Sequence, residues 1–290
     1  MSTFLSSIKN YLSLVKFSHT VFAMPFALIG FTLAVTRGNE EFSLRLLLLI
    51  ILCMIFARNA AMGFNRIADK RFDALNPRTR NREIPSGKIS PAAAIAFVII
   101  NSVFFIITAG FINRLTLFLA PVALAVILGY SLTKRFTSLC HFIIGLGLSL
   151  APIGAYISVT GQFSLLPVIY SLIVLTWVSG FDIIYSLMDD SFDRENKLFS
   201  IPASVGIPKA IVVSVIIHFI TFILVILAGL SGSGGFLFWA GAAIFISLLV
   251  YQHLIVKHDD LSRVNLAFGT TNGIASILFA AFIICDLIFK

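Results

Sequence analysis

Acidic residues are scarce in this chain: 13 Asp and Glu among 290 residues, against 21 Lys and Arg. Charged side chains make up only 12% of the sequence, 59% is hydrophobic, and the mean hydropathy is +1.01. That balance excludes an ordinary water-soluble domain. Cysteine is nearly missing as well. Cys53, Cys140 and Cys285 sit in apolar stretches without metal-ligand spacing. They exclude a thiolate metal centre and read as small buried hydrophobes. No polar stretch is large enough to form a second domain, so residues 1–290 read as one domain.

Long apolar runs take the place of what is lacking. Stretches able to cross a hydrocarbon core of about 30 Å recur along the whole chain. The predicted spans are 19–36, 44–64, 91–112, 115–133, 138–160, 164–187, 209–230, 235–255 and 266–288. The fold class is therefore all-α: a polytopic membrane protein of about nine transmembrane helices. The first span follows Lys9 and Lys16 but has no small-residue cleavage site, so it reads as a retained helix rather than a signal peptide.

Charge placement supports the same count. Alternate connections, starting with the N-terminal segment, carry 16 of the 21 Lys and Arg residues. Arg37, Arg45, Arg114 and Lys290 fall on the opposite side, and Arg58 lies inside the second span. By the positive-inside rule the N-terminus is cytoplasmic, and the protein is a multi-pass component of the cell (inner) membrane in contact with membrane lipid. The net charge of +8 thus reflects topology and gives no support for nucleic-acid binding. The basic face would instead attract phosphorylated ligands.

Against this background two aspartate pairs stand out. Asp69 and Asp73 follow Asn65 at four-residue intervals, and Asp189 and Asp193 follow Asp182 and Tyr185. A carboxylate at mid-bilayer costs roughly 2.5–3.5 kcal/mol on insertion scales, so clustered acids call for compensating charge. The spacing predicts that each set lies along one face of a helix end. Four spans separate the sets, which returns them to the same, cytoplasmic side. The pairs are offset by 120 residues, a hint of a duplicated helical unit.

Hard oxygen ligands of this kind suit magnesium, which commonly bridges one or two carboxylates to a substrate phosphate. Cations in the same connections fit a diphosphate: Arg66, Lys70, Arg78, Arg80, Arg82, Lys134, Arg135, Arg194 and Lys197. Residues 76–90 join three of these arginines to Pro77, Pro85 and Gly87, a compact loop able to cap a phosphate site. His141, at the start of the fifth span, reads as a pocket residue or as an interfacial hydrogen bonder. Asn265 and Asn272 are seven apart and would share a face; His253, His258, Asp259 and Asp260 read as a solvated connection.

These motifs resemble the UbiA-type intramembrane aromatic prenyltransferases. N-R-x-x-D-x-x-x-D at 65–73 is similar to that family's N-D-x-x-D-x-x-x-D, and R-T-R-N-R-E-I-P-S-G at 78–87 to its following basic segment. The second D-x-x-x-D falls on Asp189 and Asp193. Y-S-L-T-K-R-F-T (130–137) and A-P-I-G-A (151–155) are further points of likeness. Two positions depart from the pattern: Arg66 stands for the usual Asp and Glu83 for the usual Pro. Both look like marks of a bacterial subgroup resembling 4-hydroxybenzoate polyprenyltransferases.

The resemblance implies magnesium-dependent transfer of a polyprenyl group from a polyprenyl diphosphate to an aromatic acid acceptor in quinone biosynthesis: 4-hydroxybenzoate or, as the alternative, another acceptor such as a naphthoate or a menaquinone precursor. Asp69, Asp73, Asp189 and Asp193 would hold the metal. Asn65, Arg66, Lys70, Arg78, Arg82, Lys134, Arg135, Arg194 and Lys197 would bind substrate, and Asp182 or Tyr185 would orient the acceptor or take its proton. Two other classes remain as alternatives. A CDP-alcohol phosphotransferase should carry a D-G-x-x-A-R core, which does not occur here. An ion-coupled transporter would place its acids near the midplane on broken helices rather than beside a basic loop.

Overall fold

The computed structural model describes residues 10–15, 22–38 and 40–289. Lys9, Lys16 and Lys290, used in the charge count, and the first part of the 19–36 span lie outside the described residues. The helices are α1 (Met24–Arg37), α2 (Leu44–Ala68), α3 (Lys70–Leu75), α4 (Pro91–Gly110), α5 (Arg114–Thr133), α6 (Cys140–Thr160), α7 (Leu165–Ser186), α8 (Asp190–Glu195), α9 (Ile201–Val205), α10 (Ile207–Ser231), α11 (Phe236–Ile255) and α12 (Asn272–Phe289). A 3₁₀ turn at Leu187–Asp189 precedes α8, and a π-helical turn at Leu266–Thr271 precedes α12.

Eight of these segments are long and apolar enough to cross a membrane, and α1 is a shorter apolar helix of 14 residues. The chain is an integral multi-pass membrane protein. Local chemistry sets the ends. Ser43 and Ser90 cap α2 and α4 through the backbone N–H groups of Leu46 and Ala93, with Pro91 at the first position of α4. Asn113 caps α5 through Thr116 and also donates to the carbonyls of Ile157 and Ser158, tying α5 to the far end of α6.

Without a hydrophobic drive between helices in lipid, close packing depends on small residues. A Cβ on Gly30 would stand 2.0 Å from the Pro152 carbonyl oxygen, and one on Gly145 2.5 Å from that of Leu175. These glycines let α1 and α7 press against α6. The fully buried Phe26, Trp177, Phe245 and Phe279 fill the centre, on α1, α7, α11 and α12. Large apolar side chains such as Phe118, Phe219 and Phe236 cover the outside.

Two details differ from the sequence expectation. The π-helical turn adds a residue to the helical register, so Asn265 and Asn272 do not share a face. Asn265 is exposed, whereas Asn272 is fully buried. Nor is His253 part of a solvated connection. It lies 2.7 Å from Nδ1 of His218 in a buried polar chain that runs through Gln252 and Asn272 to the Trp177 indole.

Candidate active site

Helix α2 ends at Asp69, whose N–H still bonds back to the Asn65 carbonyl. The chain breaks there and restarts as six-residue α3, which carries Asp73. The second motif repeats this design. Helix α7 gives way to the 3₁₀ turn ending at Asp189, and six-residue α8 then carries Asp193. The two short helices are offset by the same 120 residues as the aspartates. The continuous helical face expected for each set is therefore interrupted. Each leading aspartate sits at a junction, and each trailing one is buried, Asp73 at 5% exposure and Asp193 at 0%.

Both motifs open onto one cavity of about 640 Å³. Twelve of the expected site residues line it: Asn65, Arg66, Asp69, Asp73, Arg78, Arg82, Lys134, Arg135, Asp182, Tyr185, Asp189 and Asp193. Lys70, Arg194 and Lys197 do not. Lys70 and Lys197 point to the exposed surface, and Arg194 pairs with Asp190 and the Pro202 carbonyl. Each lies on the outer side of its short helix or just beyond it, because the helix break turns the inner side toward the aspartates.

Cross-bracing holds the two motifs together. Neighbouring Lys134 and Arg135, at the end of α5, split between them: Lys134 Nζ lies 2.8 Å from Asp193, and Arg135 3.8 Å from Asp69. The 76–90 loop divides likewise. Arg82 meets Asp73 at 2.7 Å, while Arg78 reaches across to bond Asp189 through Nε (3.1 Å) and NH2 and Tyr185 through NH1 (2.7 Å). Asn76 follows Arg78, donating to Asp189 at 3.1 Å. Each of the four aspartates thus has a basic partner.

Protonation follows from these contacts. Burial, and next the Asp73 carboxylate, push the Asp69 carboxyl up to about 6 against the pull of Arg135, Lys134 and Arg82. Burial works against the Lys134 ammonium, but Asp193 outweighs it and raises that pKa. Arg78 is likewise held above its ordinary value by Asp189 and Tyr185 despite burial.

A second polar group stands deeper, on α6 and α7. His141 Nδ1 lies 2.7 Å from Asp182, and its Nε2 accepts the Ile201 N–H at 3.3 Å. That pairing puts the ring proton on Nδ1, donated to Asp182. Tyr185 stacks on Phe268 of the π-helical turn with centroids 4.1 Å apart. His141, read from the sequence as a pocket residue or an interfacial hydrogen bonder, lines the cavity, and so do Arg58 and Asn76, which were not expected as site residues. A lone arginine inside an apolar span, and an Asn before Pro77, were the available signals.

Among the described residues no three Asp, Glu, His or Cys side chains converge closely enough to hold one ion. The donor set still suits a hard cation: four carboxylates in two facing pairs, with the Asp73 Oδ2 buried and lacking a hydrogen-bond partner. Magnesium needs only one or two carboxylates alongside phosphate oxygens.

The model of the UbiA prenyltransferase family matches residues 23–283. The chain belongs to the UbiA prenyltransferase family. Among its relatives is a 4-hydroxybenzoate octaprenyltransferase of Aliivibrio fischeri (strain MJ11), 26% identical over 235 residues, covering 81% of this chain and 82% of the relative. Its fold matches the apo structure of a UbiA homolog from Aeropyrum pernix K1 with a TM-score of 0.83, at 32% identity, covering 92% of this chain and 98% of the other. A UbiA homolog from Archaeoglobus fulgidus solved with GPP and Mg2+ shares the fold at TM-score 0.76 and 20% identity, covering 96% of this chain and 99% of that one. This UbiA-family chain is a prenyltransferase, and the alternative of an ion-coupled transporter falls away with that assignment.

Proposed function

We propose that this prenyltransferase moves a polyprenyl group from its diphosphate to the ring of 4-hydroxybenzoate, at a site on the cytoplasmic face. One observation carries the reading: two facing, cation-paired aspartate motifs at the mouth of a mostly apolar cavity. The name of the Aliivibrio relative and the GPP and Mg2+ bound by the Archaeoglobus homolog support it. The basic connections around Asp69 and Asp189 support the cytoplasmic placement.

Asp69 and Asp73 on one side and Asp189 and Asp193 on the other would hold magnesium. The metal supplies charge neutralisation of the departing diphosphate. Arg78, Arg82, Lys134 and Arg135 then exchange their carboxylate partners for phosphate oxygens. Tyr185 keeps the Arg78 guanidinium aimed at the mouth. The allylic group left behind carries positive charge, which aromatic side chains lining the cavity accommodate. Apolar walls of α2, α5 and α6 keep water from it.

Asp182 takes the proton released when the aromatic ring is alkylated. His141 holds one of its carboxylate oxygens, which orients the other toward the acceptor. Arg58, inside the cavity wall, supplies the positive charge for an acid acceptor's carboxylate. The test is a product assay in membranes with 4-hydroxybenzoate, a dihydroxynaphthoate and prenyl diphosphates of several lengths. Prenylated 4-hydroxybenzoate formed only with magnesium is the expected result. Product with the naphthoate alone would change the acceptor, and no product with any pairing would refute the reading.

A further inference from the structure

Arg66 enters the cavity wall from the last turn of α2 with 2% of its surface exposed. A guanidinium carries five N–H donors. One makes a long bond of 3.4 Å to Asn65 Oδ1, and Nε is buried with no hydrogen-bond partner. Glu83 is the one carboxylate within ion-pair reach among the described residues, at 3.9 Å. A buried cation so short of acceptors is costly unless an anion completes its shell.

Glu83 itself does not line the cavity. It stands behind Arg66, 8% exposed, and accepts a 2.5 Å hydrogen bond from the Ser13 hydroxyl. Ser13 belongs to a helical turn whose Leu14 and Val15 are buried against Ile84 and Ile89 of the basic loop. Glu83 thus approaches Arg66 at Nε, from outside the cavity, while on the cavity side the one side-chain bond of its guanidinium among the described residues is the long one to Asn65. Its electrostatic neighbours are Asp73 and Arg82 of the first motif and its loop, with Glu83 and Tyr130. The anion due there is the diphosphate.

We propose that Arg66 contacts the diphosphate directly and independently of metal, and that Glu83, braced by Ser13, is the positioning residue that holds it there. This rests on the diphosphate reading given above. A guanidinium presents a planar fork that matches two phosphate oxygens, which an ammonium cannot. Part of the affinity for the diphosphate head therefore survives without divalent ions.

The experiment is calorimetric titration of inorganic pyrophosphate into the full-length protein in detergent, once with excess EDTA and once with magnesium. The parent protein is expected to bind in EDTA. Arg66→Gln should weaken that metal-free binding by about tenfold or more, and Arg66→Lys should recover only part of it. Glu83→Gln should weaken it less, and should add nothing in the Arg66→Gln background, since it acts through Arg66. Equal metal-free affinity in parent and Arg66→Gln overturns the inference. So does a Glu83→Gln effect that persists undiminished without Arg66. Should Arg66→Gln fail to fold, full metal-free affinity in Arg66→Lys overturns the bidentate contact on its own. A parent that binds pyrophosphate only with magnesium overturns the inference and spares the diphosphate reading, whereas no binding in either condition removes that reading too.

Discussion

The two aspartate motifs share a design but not a setting. Of the apolar stretch leading to Asp189, 61% is buried, against 17% of the one leading to Asp69. Helix α7 is wrapped by α6 and α10, while α2 packs chiefly on α4 and turns another side to the cavity. The second motif is thus fixed by the bundle core. The first belongs to a peripheral hairpin and is brought into register by charged side chains. The difference repeats in the Lys134–Arg135 pair. Lys134 meets a fully buried carboxylate at 2.8 Å, but its neighbour Arg135 reaches a carboxylate 31% exposed across 3.8 Å. Adjacent residues of equal charge therefore hold unequal posts.

The largest effect should erase the comparison altogether. Asp69→Ala and Asp189→Ala should each lower turnover by at least about a hundredfold, because both motifs are required to stabilise one departing anion. Membrane insertion should stay normal in both, as checked by fractionation beside the product assay. Full activity in one variant would show that a single motif suffices.

Stability should then separate the neighbours. Lys134→Met leaves Asp193 buried without its counter-charge and should cost about 3–5 kcal/mol. Arg135→Met removes a partly exposed pair and should cost no more than about 1 kcal/mol. Thermal unfolding of both variants in detergent measures this, and equal losses would contradict the core-versus-periphery distinction.

Acid pH should probe the first motif more than the second. The Asp69 pKa of about 6 in the folded protein lies above its ordinary 3.8. Between those values the folded state binds the extra proton, so this group favours folding as pH falls and opposes it as pH rises through about 6. Metal binding has the opposite sign, since it needs the ionised form. Magnesium affinity should fall about tenfold from pH 7 to pH 5. Replacing Asp73 by Asn removes the neighbouring charge and should move this loss to lower pH, as titration of magnesium at several pH values would reveal.

The smallest effect is expected from the cations outside the cavity. Lys70→Ala, Arg194→Ala and Lys197→Ala should each leave kcat/KM within about twofold, since none lines the site. A larger loss in the product assay would bring that residue back to the substrate.

The spans were legible in the sequence because long apolar runs need only length to declare themselves, and α4 through α7 begin and end within a few residues of the expected bounds. The aspartates were legible because charge is rare here. The breaks at Asp69 and Asp189 were not, since neither carries the Gly or Pro that usually ends a helix; pairing with Arg135, Arg78 and Asn76 holds those junctions instead. For the same reason Lys70, Arg194 and Lys197 could not be told from Arg78 and Lys134 by sequence position. The depth at which His141 meets Asp182 depends on how α6 packs on α7, which no local pattern records.

The juxtaposition of the two motifs can be measured without turnover. In a background lacking Cys53, Cys140 and Cys285, the pair Asn76→Cys and Asp189→Cys replaces side chains that now bond at 3.1 Å. Mild oxidation or a short bis-thiol reagent should join them efficiently within one chain, and a proteolytic cut between them should then leave the fragments linked. Fragments that separate freely, with both thiols accessible, would contradict the convergence of the two motifs on one cavity.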